Sequence, residues 1–265
     1  FASIDRHTHW RERVAARGVE ADRLAVTVLI AGQHQSEAIA DLAAQPWRER
    51  FEALADELTE NQSFFDRRQL VAAMATALVG SGRMAAEAED EADRLLADGV
   101  IVELRADALG ERRYSTPDMI RIEREILAMA TRLAASDGRR PDLDLLSKLA
   151  TEHGLSGEQT EAILSVSRQG RAAAMEGAAG SGKSTTLLPL VRAWEVAGCT
   201  VIGSATAWRI ANQLGDDLGI EARATDSWIA RGKAGKSFAN TNTVMIVDEA
   251  GQLSSRQMHA LLSQT

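Results

Sequence analysis

The apolar positions of this chain fall into two grammars. In the first, they recur every three to four residues. Phe51, Leu54, Ala55 and Leu58 share one face and predict a helix from Pro46 to about Glu60. "DRRQLVAAMATALVG" predicts a second helix, capped by Asp66 and stopped near Gly80. "MAAEAEDEADRLLADG" predicts a third, closing at Gly99. "VIVELRADALGERRYST" then alternates as a β-hairpin does, with arms Val100–Leu104 and Arg112–Ser115 about a loop holding Gly110. Thr116 caps the strongly amphipathic "PDMIRIEREILAMATRLAAS", with Pro117 at the first helical position. "DGRRPD" at 137–142 reads as a turn and a boundary. Upstream of about Gln45, "WRERVAARG" has helical spacing, and "ADRLAVTVLIAGQ" fits strand or helix equally well.

From about Ser156 the grammar changes to short apolar strands alternating with helices, the sign of a parallel α/β sheet. "RAAAME" predicts a strand, followed by a helix over Lys183–Ala197. "CTVIGSAT" predicts another strand, with a helix over Ala207–Leu214. "TVMIVDEA" carries four consecutive apolar residues and predicts a fully buried third strand, with a helix over Ser254–Leu262 behind it. Three regions follow. Residues 1–45 form a helical N-terminal segment. Residues 46–138 form a winged-helix-like helical domain with a hairpin. Residues 139–265 form a RecA-like P-loop domain with a parallel sheet.

Composition narrows this picture. A hydrophobic content of 45% in 265 residues supports real cores. The net charge of −8 argues against a general polyanion binder, and the acidic excess lies in residues 1–138. No apolar run is long enough for a membrane span. One cysteine, Cys199, excludes a disulfide framework and suits a reducing, cytoplasmic compartment. The chain opens on "FASIDRHTHWRER" without Met, so it is expected to be a piece of a longer polypeptide. Lysine is rare, occurring at Lys148, Lys183, Lys233 and Lys236 alone.

One of those lysines sits in G-x-x-x-x-G-K-S, Gly177–Ala178–Ala179–Gly180–Ser181–Gly182–Lys183–Ser184, followed by Thr185. Glycines let backbone N–H groups turn inward around anionic oxygens, and the following helix aims its positive end at the same place. In this pattern Lys183 reaches the β- and γ-phosphates and Ser184 binds Mg²⁺. Asp248 and Glu249 emerge at the C-terminal end of the last predicted strand, where parallel sheets bind ligands. Asp248 suits the Mg²⁺ position and Glu249 suits polarising an attacking water. Together these residues predict ATP with Mg²⁺, and hydrolysis as the chemistry. Gln159 precedes the loop and can read an adenine edge. With Ser156 it also forms a capping box, and both roles can coexist.

Taken together, Leu155–Gln159, Gly177–Ser184, "VIGSATAWRIANQL" and Asp248–Gly251 resemble the first half of a superfamily 1 DNA helicase of the RecD-like branch. "LTENQSFFDRRQLVAAM", "RRYSTPDMIRIEREIL", "ATDSW" and "VDEAGQLSSRQM" are similar to the helicase region of TraA-type conjugative relaxases of the Ti-plasmid kind, over roughly residues 47–265. TraI and TrwC relaxases are related families. The resemblance implies ATP-dependent 5′-to-3′ unwinding of plasmid DNA, with relaxosome and type IV secretion components as partners. It also implies arginines from later motifs in the ATP site. Without them this chain alone is expected to bind nucleotide but to turn it over slowly. Strand nicking needs a Tyr nucleophile beside a His-bound metal. Tyr114 stands in the hairpin and His7-x-His9 lacks a third ligand nearby, so nicking chemistry is expected upstream of this piece.

In such motors the loop after the second strand touches DNA. Here Thr206 can donate to a phosphate, Arg209 can pair with one, and Trp208 can stack a base or pack inward. The family usually carries Gly where Trp208 stands. Thr225, Ser227 and Trp228 form a second candidate patch, with Trp228 weighed as a core anchor. "RGKAGKSF", with Lys233 and Lys236, is a basic loop that is either DNA-facing or merely solvated. In the winged-helix-like region Arg112 and Arg113 are the phosphate candidates, though its acidity favours a packing or regulatory role. The alternatives are a vestigial helicase fold that grips single strands or relaxosome partners without ATP turnover, and a P-loop ATPase unrelated to DNA. The intact Lys183, Ser184, Asp248 and Glu249 count against the former. "ATDSW" and the segment around Thr206 count against the latter.

Overall fold

The computed structural model describes residues 47–79, 87–106, 110–177 and 182–264, with the side chains of 47–49, 51, 52 and 183 outside that description. The chain divides into two compact units. Of the described residues, the first takes in those of 47–58 and 65–114, and the second those of 59–64 and 115–264.

In the first unit, helices α1 (Trp47–Leu58), α2 (Arg67–Leu78) and α3 (Glu87–Ala97) are followed by strands β2 (Val102–Glu103) and β3 (Arg113–Ser115). A two-residue strand, β1 (Phe65–Asp66), lies between α1 and α2. The sheet order is β1-β3-β2, with Phe65 opposite Tyr114 in an antiparallel pair. Asp66 ends β1 and caps α2 at once: its carboxylate accepts the Gln69 amide at 2.7 Å, and the Gln69 side chain accepts the Asp66 amide at 2.9 Å. Phe65, Leu70, Met74, Ala92, Leu95, Ile101 and Tyr114 form its core. Tyr114 is 1% exposed and stacks on Phe65 with centroids 6.3 Å apart, so its ring serves packing. Arg112 pairs with Glu103 across the hairpin at 3.6 Å.

The second unit is built on a parallel sheet of order β5-β4-β6. Its strands are β4 (Thr200–Ala205), β5 (Glu221–Ala224) and β6 (Thr243–Val247). Helices α7 (Lys183–Val196) and α8 (Trp208–Leu218) cover one face through Val191, Val201, Leu214 and Leu218. Helices α9 (Thr225–Lys233) and α10 (Ser255–Leu262) cover the other through Ile202, Trp228 and Leu261. Helices α5 (Leu143–Glu152) and α6 (Gly157–Arg168) add a further layer on α7, joined by Leu146, Ile163 and Leu190. Helix α4 (Pro117–Ala135), capped by Thr116 with Pro117 in its first turn, also belongs to this unit and packs along α10. The sequence pattern had grouped it with the hairpin before it.

Two expectations about strands need correction. Residues 171–177, "RAAAME" and the glycine after it, form no strand. An extended segment counts as a strand only with a ladder partner, and among the described residues these have none. Strand β6 is half-buried throughout rather than fully buried, because it stands at the edge of its sheet. The sequence pattern does not show β1, α5, or β5 with its helix α9.

Candidate functional site

The phosphate loop is described from Gly182 onward; Ala178, Ala179, Gly180 and Ser181 lie outside the described residues, and Lys183 is described by its backbone alone. Gly182 adopts φ 75°, ψ 35°, the left-handed region that glycine enters without a Cβ penalty. It is the N-cap of α7 and offers no side-chain acceptor, so no side chain caps the first N–H groups of that helix. The turn is closed from inside the helix: the Gly182 carbonyl accepts the Thr186 amide at 2.9 Å and the Thr186 hydroxyl at 3.0 Å. Ser184 is half-buried and Thr185 exposed, one turn ahead of that lock.

Gln159 sits against this turn. A Cβ placed on Gly182 would lie 3.5 Å from the Gln159 Nε2. Its Oε1 accepts the Ser156 backbone N–H at 2.9 Å and the Gln159 backbone N–H donates to the Ser156 hydroxyl at 3.2 Å, a complete capping box. The capping and loop-facing roles therefore use opposite ends of one amide. Gly177, the first motif residue, is exposed.

The acidic pair stands at the C-terminal end of β6. The Asp248 amide donates to the Ser204 carbonyl of β4 at 2.9 Å, which carries the parallel pairing one residue past the strand. The Glu249 amide donates to Asp248 Oδ1 at 3.0 Å and fixes that carboxylate. Glu249 itself has φ 51° and ψ 43°, the one non-glycine residue at positive φ among those described. Such backbone strain concentrates at functional sites. A single 3₁₀ turn, Ala250–Gln252, leads on to Ser254, whose hydroxyl caps α10 in another capping box. The amide of Gln252 approaches Glu249 Oε2 at 3.5 Å. The donors on offer to a cation, the Ser184 hydroxyl and the Asp248 carboxylate, are oxygen only. That fits a hard divalent ion held chiefly by phosphates and one or two carboxylates.

The candidate DNA contacts divide sharply. Trp208 is 53% exposed at the start of α8, beside exposed Arg209 and half-buried Thr206. Trp228 is 2% exposed. Its indole N–H donates to the Gly203 carbonyl at 2.8 Å, Phe238 packs 5.2 Å away, and the guanidinium groups of Arg223 and Arg231 lie 5.5 and 5.7 Å from its ring. Thr225 is fully buried, its hydroxyl bonded to Ser204 and to the Ala205 carbonyl. The patch expected at Thr225 and Trp228 is therefore core, and only half-buried Ser227 keeps any access. Lys233 closes α9 and Lys236 follows it, both exposed. His7 and His9 lie outside the described residues; among those described, no three His, Cys, Asp or Glu side chains group as a metal site. No described helix is long and apolar enough to cross a membrane.

A protein family described as an AAA domain matches residues 154–265. The conjugal transfer protein TraA of Rhizobium radiobacter is 40% identical over 147 residues, covering 55% of this chain and 13% of that protein. TraA of Agrobacterium fabrum is 35% identical over 173 residues, covering 62% of this chain and 16% of that protein. The probable TraA of Sinorhizobium fredii is 37% identical over 147 residues, covering 55% and 13%. The chain thus spans between 13% and 16% of the length of these relatives. Residues 154–265 thus match the AAA domain family, and over more than half its length the chain is similar to conjugal transfer proteins TraA.

Proposed function

We propose that this chain is the ATP-binding helicase segment of a conjugative DNA-transfer relaxase. The observation that carries this reading is the start of α7. A left-handed Gly182 delivers the chain into a helix whose first N–H groups have no side-chain cap, ahead of Lys183 and Ser184. Those N–H groups and the helix dipole suit a triphosphate.

In this reading the motif Gly177–Ser184 would hold the phosphates, with Lys183 as their cationic partner. Ser184 and Asp248 would hold Mg²⁺, which neutralises phosphate charge. Glu249 orients the attacking water and accepts its proton, its carboxylate steadied by Gln252. Gln159, with Oε1 engaged in its cap, offers Nε2 on the loop side to an adenine acceptor. Trp208, Arg209 and Thr206 form the single-strand contact, with Ser227, Lys233 and Lys236 as outlying phosphate contacts. Unwinding of plasmid DNA in the bacterial cytoplasm, alongside relaxosome and type IV secretion components, is the role this machinery suits. The first unit suits a winged-helix-like packing domain: its order of helix, strand, two helices and hairpin, with sheet order β1-β3-β2, supports that reading.

The test compares Mg·ATP and single-stranded DNA affinity of the chain with those of a Lys183→Ala variant. Loss of one charge-assisted contact of about 3 kcal/mol lowers ATP affinity roughly a hundredfold, with DNA affinity retained. No measurable ATP binding by the unaltered chain, with DNA still bound, would select the vestigial module instead.

A further inference from the structure

Helix α4 bonds two segments that flank the proposed nucleotide-site residues in sequence, residues 170–171 and helix α10. At its C-terminal end the Leu133 carbonyl accepts the Arg171 amide at 2.8 Å, on the segment that leads into the phosphate loop. Gly170 beside it presses so closely on α4 that an added Cβ would lie 2.6 Å from the Leu133 carbonyl oxygen and closer still to that of Ala134. Towards its N-terminal end α4 holds α10, the helix that follows the acidic loop. Arg256 donates to Asp118 at 3.0 Å, and the His259 ring bonds Glu125 at 2.7 Å. Arg121 bonds both of those carboxylates, at 2.6 Å to Asp118 and 2.7 Å to Glu125. The result is one continuous ladder, Arg256–Asp118–Arg121–Glu125–His259. Ser255 adds bonds to Glu123 at 3.3 Å and to Ser63 at 2.8 Å.

Only Met119, Ile122 and Leu133 of α4 are buried. A helix attached mainly by polar groups at a half-exposed surface has little apolar burial to hold it in one place, so small shifts in its partners change its local stability. Its partners are the lead-in to the phosphate loop and the helix leaving Asp248 and Glu249.

We infer that α4 is a strut tying the phosphate-loop and acidic-loop halves of the nucleotide site together, and that nucleoside triphosphate binding is felt along it through the α10 ladder. This rests on the nucleotide site proposed above. A ligand that draws Ser184 and Asp248 towards a shared cation fixes both attachment points of α4 at once. The helix then opens less often. With the ladder cut, α4 keeps its anchor at Arg171 and the Ser255–Glu123 bond, and loses its charged contacts to α10.

The experiment is hydrogen–deuterium exchange of the whole chain over residues 117–135, with and without a non-hydrolysable ATP analogue and Mg²⁺. A parallel fluorescence titration with a labelled ATP reports binding itself. In the unaltered chain, nucleotide slows exchange in α4 several-fold. In Arg256→Ala/His259→Ala that slowing disappears while labelled ATP still binds, and Arg256→Lys alone preserves it. Both replaced side chains are partly exposed, so the core beneath is untouched. Bound nucleotide with unchanged α4 exchange overturns the strut, as does slowing that survives the double substitution. An unaltered chain that binds no labelled ATP overturns the nucleotide reading and the strut with it, and the titration separates that outcome from the other two.

Discussion

The helix starts of the second unit fall into two groups. Helices α4, α5, α6 and α10 each begin with a side-chain cap, from Thr116, Asp142, Ser156 and Ser254. Helices α7, α8 and α9 begin at Gly182, Ala207 and Ala224, with no side-chain cap. Three helix starts that follow the C-terminal ends of strands or the phosphate motif are uncapped: α8 follows β4, α9 follows β5 and α7 follows the phosphate motif, whereas α10, which follows β6 after the acidic loop, is capped. A cap satisfies orphan N–H donors within the chain. Its absence at three neighbouring starts leaves those donors to something else. At α9 part of the answer is internal, since buried Thr225 ties Ser204 and Ala205 to that turn. At α7 and α8 the exposed edge is where phosphates of nucleotide and nucleic acid are proposed to lie.

Gly182 gives the largest expected effect on that contrast. Gly182→Ala forces a Cβ into the left-handed region at about 1–2 kcal/mol, with ordinary packing space around it. Thermal unfolding then falls by a few degrees, and ATP affinity falls further than stability does, since the strain sits in the phosphate cradle. An ATP affinity that stays unchanged would detach that helix start from the nucleotide.

Removing a cap comes next. Ser156→Ala and Ser254→Ala each break a complete capping box and lower stability by about 1 kcal/mol on chemical denaturation. Ser156→Ala removes the acceptor of the Gln159 backbone N–H but keeps the Ser156 N–H that holds Gln159 Oε1, so ATP affinity changes little, whereas Ser254→Ala acts on the helix that follows the acidic loop.

Adding a cap is a smaller and opposite change. Ala207 already has cap-compatible backbone angles, φ −124° and ψ 146°. Ala207→Ser is expected to stabilise the chain by roughly 0.5–1 kcal/mol, and Ala207→Asp to weaken single-strand binding through repulsion of phosphate. Single-strand affinity indifferent to Ala207→Asp would take α8 out of the DNA-facing group.

The mildest effect is with pH. The Arg121 guanidinium, then Arg256, hold the Asp118 carboxyl below the ordinary carboxylate range. Arg121, then His259, do the same for Glu125. Carboxyls lowered in the folded state add stability above their unfolded pKa and lose it as pH falls through the folded one. Stability at the α4–α10 contact should therefore decline below about pH 4, and Asp118→Asn should flatten that decline in a denaturation series.

Much of this was legible because it is local. Asp66, Thr116 with Pro117, Ser156 and Ser254 announce helix starts through contacts three residues away. The phosphate motif is likewise contiguous, and its glycine at φ 75° stands where the pattern places it. Strand β5 was not legible: Glu221–Ala224 offers only two alanines as apolar residues and no β-branched or aromatic side chain, and becomes a strand because β4 lies alongside it. "RAAAME" is the reverse case, apolar enough to look like a strand but without a ladder among the described residues. Trp208 and Trp228 were equally ambiguous as letters, and position alone made one 53% exposed and the other 2%.

Sequence alone determined where helices begin and which residues could cradle a triphosphate, because caps and phosphate loops are made by neighbours along the chain. Only the tertiary structure decided which edge of the sheet is open, which tryptophan is core, and that α4 lies along α10. Those outcomes depend on surfaces that meet across separations from 25 residues, for Trp228 and Gly203, to 138, for Asp118 and Arg256, and no local pattern encodes such a meeting.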